Sequence, residues 1–229
     1  MHWSMKKLLL SCCATIALST GLMAANFTLS SVNGGAAVGS PKLNLDNLAL
    51  GNSTQWIDGT IQVSFTGSGQ VVQGAASGYY AAPFVSGGNG TGFGSPDQAN
   101  GADETNYLST GIGSIEFNFK YDQNYFGLLW GSVDNYNTLS FYSNNLLVGS
   151  FTGTQIWASA NGNQGQQGTF YVNFSTSDGT FNKVVASSTQ YAFELDNIAY
   201  NGRSVPDGGS TVALLGLALA GLACVRRKA

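Results

Sequence analysis

Along the middle of the chain, apolar and polar residues alternate with a period of two. Ile61, Val63 and Phe65 fall on one side of a short segment, and Ile115, Phe117 and Phe119 repeat the pattern. Successive side chains of a strand point to opposite faces, so this alternation predicts half-buried β-strands. Residues 79–85, 125–130, 138–142, 146–151, 169–174, 181–186 and 191–200 also read as strands, on their aromatic and β-branched content. Clusters of Gly, Asn, Asp and Ser separate them, as turns require. No amphipathic helical stretch interrupts residues 54–200. Short strands joined by Gly-rich turns predict an all-β fold, a two-sheet sandwich of jelly-roll type.

The two ends follow other patterns. Lys6 and Lys7 precede an apolar run over residues 8–23 and the small residues Ala24 and Ala25. This is the layout of a secretory signal peptide, which predicts a signal helix within residues 1–25 and export through the Sec translocon. A lipoprotein signal ending at Cys12 is the alternative, but the apolar run before it falls short of the usual ~7–15 residues. At the other end, Val205, Pro206, Asp207, Gly208 and Gly209 precede an apolar run and the basic trio Arg226, Arg227 and Lys228. Pro and the paired Gly keep that segment extended and accessible. Residues 211–225 would form a transmembrane helix of about 22 Å, short for a ~30 Å hydrocarbon core. Snorkelling by the basic stop at residues 226–228 makes up part of the difference and holds the C-terminus on the cytoplasmic side. A β-sandwich ectodomain over residues 26–204 remains between the two ends.

Composition narrows the chemistry of that ectodomain. Cys12, Cys13 and Cys224 lie in the leader and the tail, and the single histidine is His2. Disulfides, Cys-based metal sites and His-dependent nucleophilic schemes are therefore excluded from the middle of the chain. Over residues 26–207, four basic residues stand against all twelve acids, a formal charge of −8. So acidic a surface cannot displace the counterions on nucleic-acid phosphates, which excludes nucleic acid as a partner. It leaves room for a divalent cation. Asp196, beside Asn197 near the end of the last strand, is the candidate ligand for a structural calcium, a hard cation that takes oxygen donors.

Two Gly- and Asn-rich stretches, residues 86–106 and 159–168, read as long surface loops. Their amides could decorate the surface or line a rim that hydrogen-bonds sugar hydroxyls. Carbohydrate binding would also need exposed rings, for which Trp56, Tyr79, Tyr80, Trp130 and Trp157 are available, although the core is the usual place for such residues. Glycoside hydrolysis needs a pair of carboxylates about 5–9.5 Å apart. Asp103, Glu104, Glu116, Asp134 and Glu194 are the candidates. Strand alternation puts Glu116 and Glu194 on polar faces, where charge is usually solvated. No catalytic residue is assigned, and a non-enzymatic protein is expected.

The segment 125–142, together with residues 151–153, 168–174 and 193–200, resembles a family of exosortase-dependent bacterial surface proteins, over roughly residues 105–229. The tail is similar to PEP-CTERM sorting signals, closest to the VPDSG subtype, with Gly208 where that subtype has Ser. The resemblance implies cleavage near Pro206 by an exosortase, transient anchoring in the inner membrane through the C-terminal helix, and a destination at the cell surface or in the extracellular matrix. Three roles follow as expectations: a structural or adhesive surface component first, then a non-catalytic binder of matrix exopolysaccharide, then a cryptic glycoside hydrolase.

Overall fold

The structure, a computed structural model, describes residues 25–32, 35–95 and 100–201. The predicted signal helix, apart from Ala25, and the whole predicted sorting tail lie outside the described residues. In chain order the strands are β1 (Phe27–Val32), β2 (Lys42–Leu43), β3 (Gln55–Ile57), β4 (Ile61–Gly67), β5 (Gln70–Gln73), β6 (Phe84–Val85), β7 (Gly101–Ala102) and β8 (Asn106–Thr110). They continue with β9 (Gly113–Gln123), β10 (Tyr125–Gly131), β11 (Asn137–Ser143), β12 (Leu146–Thr152), β13 (Phe170–Thr176), β14 (Phe181–Ser188) and β15 (Phe193–Tyr200). Helix is confined, among the described residues, to the turn α1 (Gly153–Ile156) and a 3₁₀ turn at Gln166–Gly168.

Two antiparallel sheets form the sandwich. One runs β1-β13-β10-β15-β8-β5, with β2 also on β15, and the other runs β12-β11-β14-β9-β4-β3. Their inner faces meet in a core rich in Phe. Phe117 of one sheet lies 5.6 Å from Phe126 of the other, and Phe141 lies 5.1 Å from Phe174. The predicted alternation is present: Ile61, Val63, Ile115 and Phe117 are fully buried. The segment singled out in the sequence, residues 125–142, crosses between the sheets: β10 belongs to one and β11 to the other.

Strands β10 and β15 are buried along their entire lengths. In an antiparallel sheet this requires both faces to be covered. Phe126, Leu128 and Trp130 enter the sandwich core, while Tyr125 and Leu129 join a second apolar cluster with Val85, Phe93 and Tyr171. Val85 and Phe93 of that cluster, with Ala36 packed beside them, lie outside both main sheets and form a third layer on the outer face. Gly131 makes the close approach possible, because a Cβ there would sit 3.1 Å from Pro83.

The pairing of β10 with β15 contains a bulge. Gly127 faces Ala199, but Leu129 faces Asp196, so Asn197 is the extra residue. Its φ of +52° is left-handed, a conformation Asn tolerates better than most residues. The bulge resets the alternation: Phe193 and Leu195 before it, and Ile198 and Tyr200 after it, all belong to the main core.

Residues 79–85 correct the sequence reading. Only β6 forms a strand there, paired with β7; residues 76–80 fold as a turn closed by a single bridge between Ala76 and Tyr80, with the Tyr79 and Tyr80 N–H groups donating to the Ala76 carbonyl. Gly74 and Gly78, at φ +71° and +80°, break the extended run. Of the aromatic residues that imitate a strand, Tyr79 stays exposed and Tyr80 packs against Tyr107, with ring centroids 6.4 Å apart. Strands β1, β5 and β8 lack strong alternation in the sequence and emerge only in the structure.

Phe141 is fully buried, with the rings of Phe27, Phe174 and Phe181 centred 4.8, 5.1 and 5.0 Å away. Phe141→Ala should cost about 3–5 kcal/mol. Trp56→Ala, at a site 59% exposed on an edge strand, should stay within about 0.5 kcal/mol. Guanidinium denaturation of both variants checks the contrast, and equal losses would contradict this assignment of the core.

Candidate functional site

Four connections meet at one end of the sandwich and enclose a cleft of about 490 Å³. They are the turn around Tyr79 and Tyr80, the β10–β11 crossing at Ser132, Asp134 and Tyr136, the Asn/Gln-rich loop at Asn161, Gly162 and Gln164, and the approach to β15 at Tyr191 and Ala192. Glu194, the second residue of β15, forms the floor.

The crossing is held from two sides. Val133 N–H donates to the Gly168 carbonyl (2.9 Å), Gly162 N–H donates to the Val133 carbonyl (3.0 Å), and Asp134 bridges to Asn161. Gly162 is required twice over. Its φ is +70°, and a Cβ would lie 2.6 Å from Asp134 Oδ2. On the other side, Asn137 donates from its amide to the Ala192 carbonyl (3.0 Å) and accepts from the Ser188 hydroxyl (2.8 Å). Ser132 sits at φ +37°, a left-handed conformation that costs on the order of 1 kcal/mol in a non-glycine residue. There its hydroxyl donates to Glu194 Oε2.

Glu194 is 2% exposed, contrary to the solvated position expected from alternation. It does lie on the face opposite the core, as the strand pattern requires, but the third layer covers that face. Ala81 N–H donates to Oε1 at 2.9 Å. Burial pushes its carboxyl up to about 7; the Ser132 and Ala81 hydrogen bonds oppose the shift and the nearby Asp134 charge adds to it. Asp134 is also raised by burial, against the hydrogen bond from Tyr136. The Tyr136 hydroxyl donates to Asp134 Oδ2 (2.5 Å) and lies 2.8 Å from the Tyr191 carbonyl oxygen. Burial, then the Asp134 carboxylate, raise the Tyr136 phenol, which stays a neutral donor.

Of the five candidate carboxylates, the fold therefore brings Asp134 and Glu194 to one cleft. Ser132, which touches Glu194, is two residues from Asp134, at most about 7 Å between α-carbons. Asp103 is elsewhere, accepting from Thr105 N–H (2.8 Å) and the Thr105 hydroxyl (2.6 Å). Glu104 is exposed, and Glu116 lies half-buried on β9. Among the aromatic candidates, Trp130 is fully buried and stacked on Phe193, with ring centroids 4.4 Å apart. Tyr79 and Tyr191, 58% and 42% exposed, form a T-shaped pair at 5.2 Å on the cleft rim. Sequence reasoning missed Ser132, Tyr136, Tyr191 and Gly162. The polar density of residues 131–137 was the signal for Ser132 and Tyr136, and the Asn/Gln-rich loop 159–168, read as a possible rim, contains Gly162.

Asp196 is fully buried beside the bulge, on the outer face near Tyr171. Both side-chain polar atoms of Asn197, also fully buried, lack hydrogen-bond partners. Among the described residues no group of three or more His, Cys, Asp and Glu is arranged to hold a metal ion.

Beyond the described residues, a family model, the VPDSG-CTERM motif, matches residues 204–229. The chain thus carries a PEP-CTERM-like, exosortase-dependent sorting signal containing Val205, Pro206, Asp207, Gly208 and Gly209. The signal implies export to the cell surface and processing by an exosortase. No curated protein and no solved structure matches the chain.

The buried Glu194 carries a pH dependence of stability. In the folded state it keeps its proton up to about 7, whereas the unfolded chain releases it near 4.5. Its contribution is complete below 4.5 and is lost as pH rises through 7, on the order of 3 kcal/mol at 1.36 kcal/mol per pKa unit. Denaturation midpoints of Glu194→Gln should fall less than those of the parent between pH 5 and pH 8. Parallel profiles would refute the burial of this charge.

Proposed function

We propose that this protein is a structural and adhesive component of the bacterial surface or extracellular matrix, and that it adheres by holding matrix exopolysaccharide in the end cleft without cleaving it. The observation that carries this reading is the cleft itself. Its rim offers exposed Tyr79 and Tyr191 rings on which sugar rings can stack, and Asn161 and Gln164 place amides beside them. A volume of about 490 Å³ lies within the ~300–1,000 Å³ usual for small-ligand sites. The repeated passage of the chain from sheet to sheet supports the jelly-roll form of the sandwich, and the sorting signal supplies the location. The leader and the 211–225 segment act in this reading as signal peptide and transient inner-membrane anchor.

A second reading, glycoside hydrolysis, is favoured by one observation: Asp134 and Glu194 share the cleft, and Glu194 holds a proton near neutral pH as a general acid must. Structural calcium at Asp196 is a further part of the proposal, supported by the buried oxygen donors of Asp196 and Asn197.

Incubating the full chain, purified in detergent, with insoluble exopolysaccharide from its host separates these readings. Retention without new reducing ends is the expected result; released reducing ends that vanish in Glu194→Gln would establish hydrolysis instead, and no retention would remove the adhesive reading. A melting temperature unchanged between calcium and a chelator would rule out the structural ion. Fractionating the host, with mass spectrometry of the mature termini, should show the surface form lacking residues 210–229. Persistence of that peptide would overturn the sorting assignment.

A further inference from the structure

We propose that the end cleft selects a hexosamine bearing a free ammonium group, with its sugar ring against Tyr79 and Tyr191 and its ammonium on Asp134. The inference rests on the saccharide-binding reading and adds the charge of the ligand. No Lys or Arg lines the cleft among the described residues, whereas two carboxyl groups do. Both are screened from bulk water, Asp134 at 9% exposure and Glu194 at 2%. Charges in such a place interact several-fold more strongly than on an open surface.

An anionic sugar is therefore disfavoured. The carboxylate of a uronic acid would meet like charge with no cation to offset it, and a sulfate would fare worse. A neutral hexose can hydrogen-bond the rim but leaves the Asp134 charge uncompensated in a desolvated site. An ammonium answers that charge directly. Its three donors can be shared between Asp134 and the Tyr191 carbonyl oxygen that already lies beside Tyr136. The rim adds to the preference, since a cation over a tyrosine face gains about 0.5–1 kcal/mol at an exposed site. Tyr79 and Tyr191, set nearly perpendicular at 77°, give one face and one edge to a ligand in the cleft. Glu194 has both oxygens engaged by protein donors, so it stays out of the direct contact and Asp134 alone meets the ammonium.

Isothermal titration calorimetry of the full chain in detergent tests this, at pH 6.5 with a chelator present. The probes are a glucosamine tetramer, an N-acetylglucosamine tetramer and a galacturonate tetramer. The glucosamine tetramer should bind at least about tenfold tighter than its acetylated counterpart, and the galacturonate should not bind. Asp134→Asn should reduce the preference to below about threefold while keeping the affinity for the acetylated probe. If that variant does not fold, a fall in glucosamine affinity of about tenfold between 50 and 500 mM salt serves in its place. Equal or tighter binding of the acetylated or acidic probe overturns the ammonium inference and leaves saccharide binding standing. Failure of all three probes to bind overturns both.

Discussion

Strand β15 has to satisfy two faces at once, and the single extra residue at Asn197 is how it does so. A regular strand would send Phe193 and Leu195 inward and then turn Ile198 and Tyr200 out. The bulge restores them to the core, so the central strand of the larger sheet contributes apolar side chains along its whole length. The residues between them, Glu194, Asp196 and Ala199, then fall on the outer face. Everything that distinguishes this molecule from a plain sandwich follows from covering that face. The third layer must be close enough to exclude water, which the bare backbone of Gly131 against Pro83 permits.

The covered face is also where charge becomes chemically informative. Glu194 is expensive to bury, and the fold offsets part of that cost with a backbone N–H from Ala81 and the strained Ser132 hydroxyl. A purely structural position would be better served by an apolar residue of similar volume. The same crossing that bends Ser132 toward Glu194 also carries Asp134 and Tyr136, and the Asn/Gln-rich loop clamps it through Gly162 and Asn161. Local turn chemistry and the electrostatics of the cleft are therefore a single arrangement: moving either carboxyl requires moving the backbone that ties the two sheets together.

Much of the sandwich was legible because its signal is local. Ile61 and Val63, or Ile115 and Phe117, announce an inward face by alternation alone. The sorting segment is legible for a related reason, being a linear motif of neighbouring residues. The cleft was not legible in the same way. Asp134 and Glu194 are sixty residues apart in sequence and become neighbours only through the pairing of β10 with β15. Alternation correctly placed Glu194 away from the core but carried no information about the layer above it, so its burial was missed. Tyr79 and Tyr80 misled for the converse reason: their β-favouring chemistry serves tertiary packing and a rim, while Gly74 and Gly78 dictate the backbone.

The last strand in sequence is the middle strand of its sheet, bonded to β10 on one side and to β8 and β2 on the other. The larger sheet therefore cannot close until the chain through Tyr200 is available to fold. From Tyr200 to Val205 there are five residues of chain, a tether of at most about 18 Å. Closure of the larger sheet therefore waits for the stretch of chain that immediately precedes the sorting signal at residues 204–229.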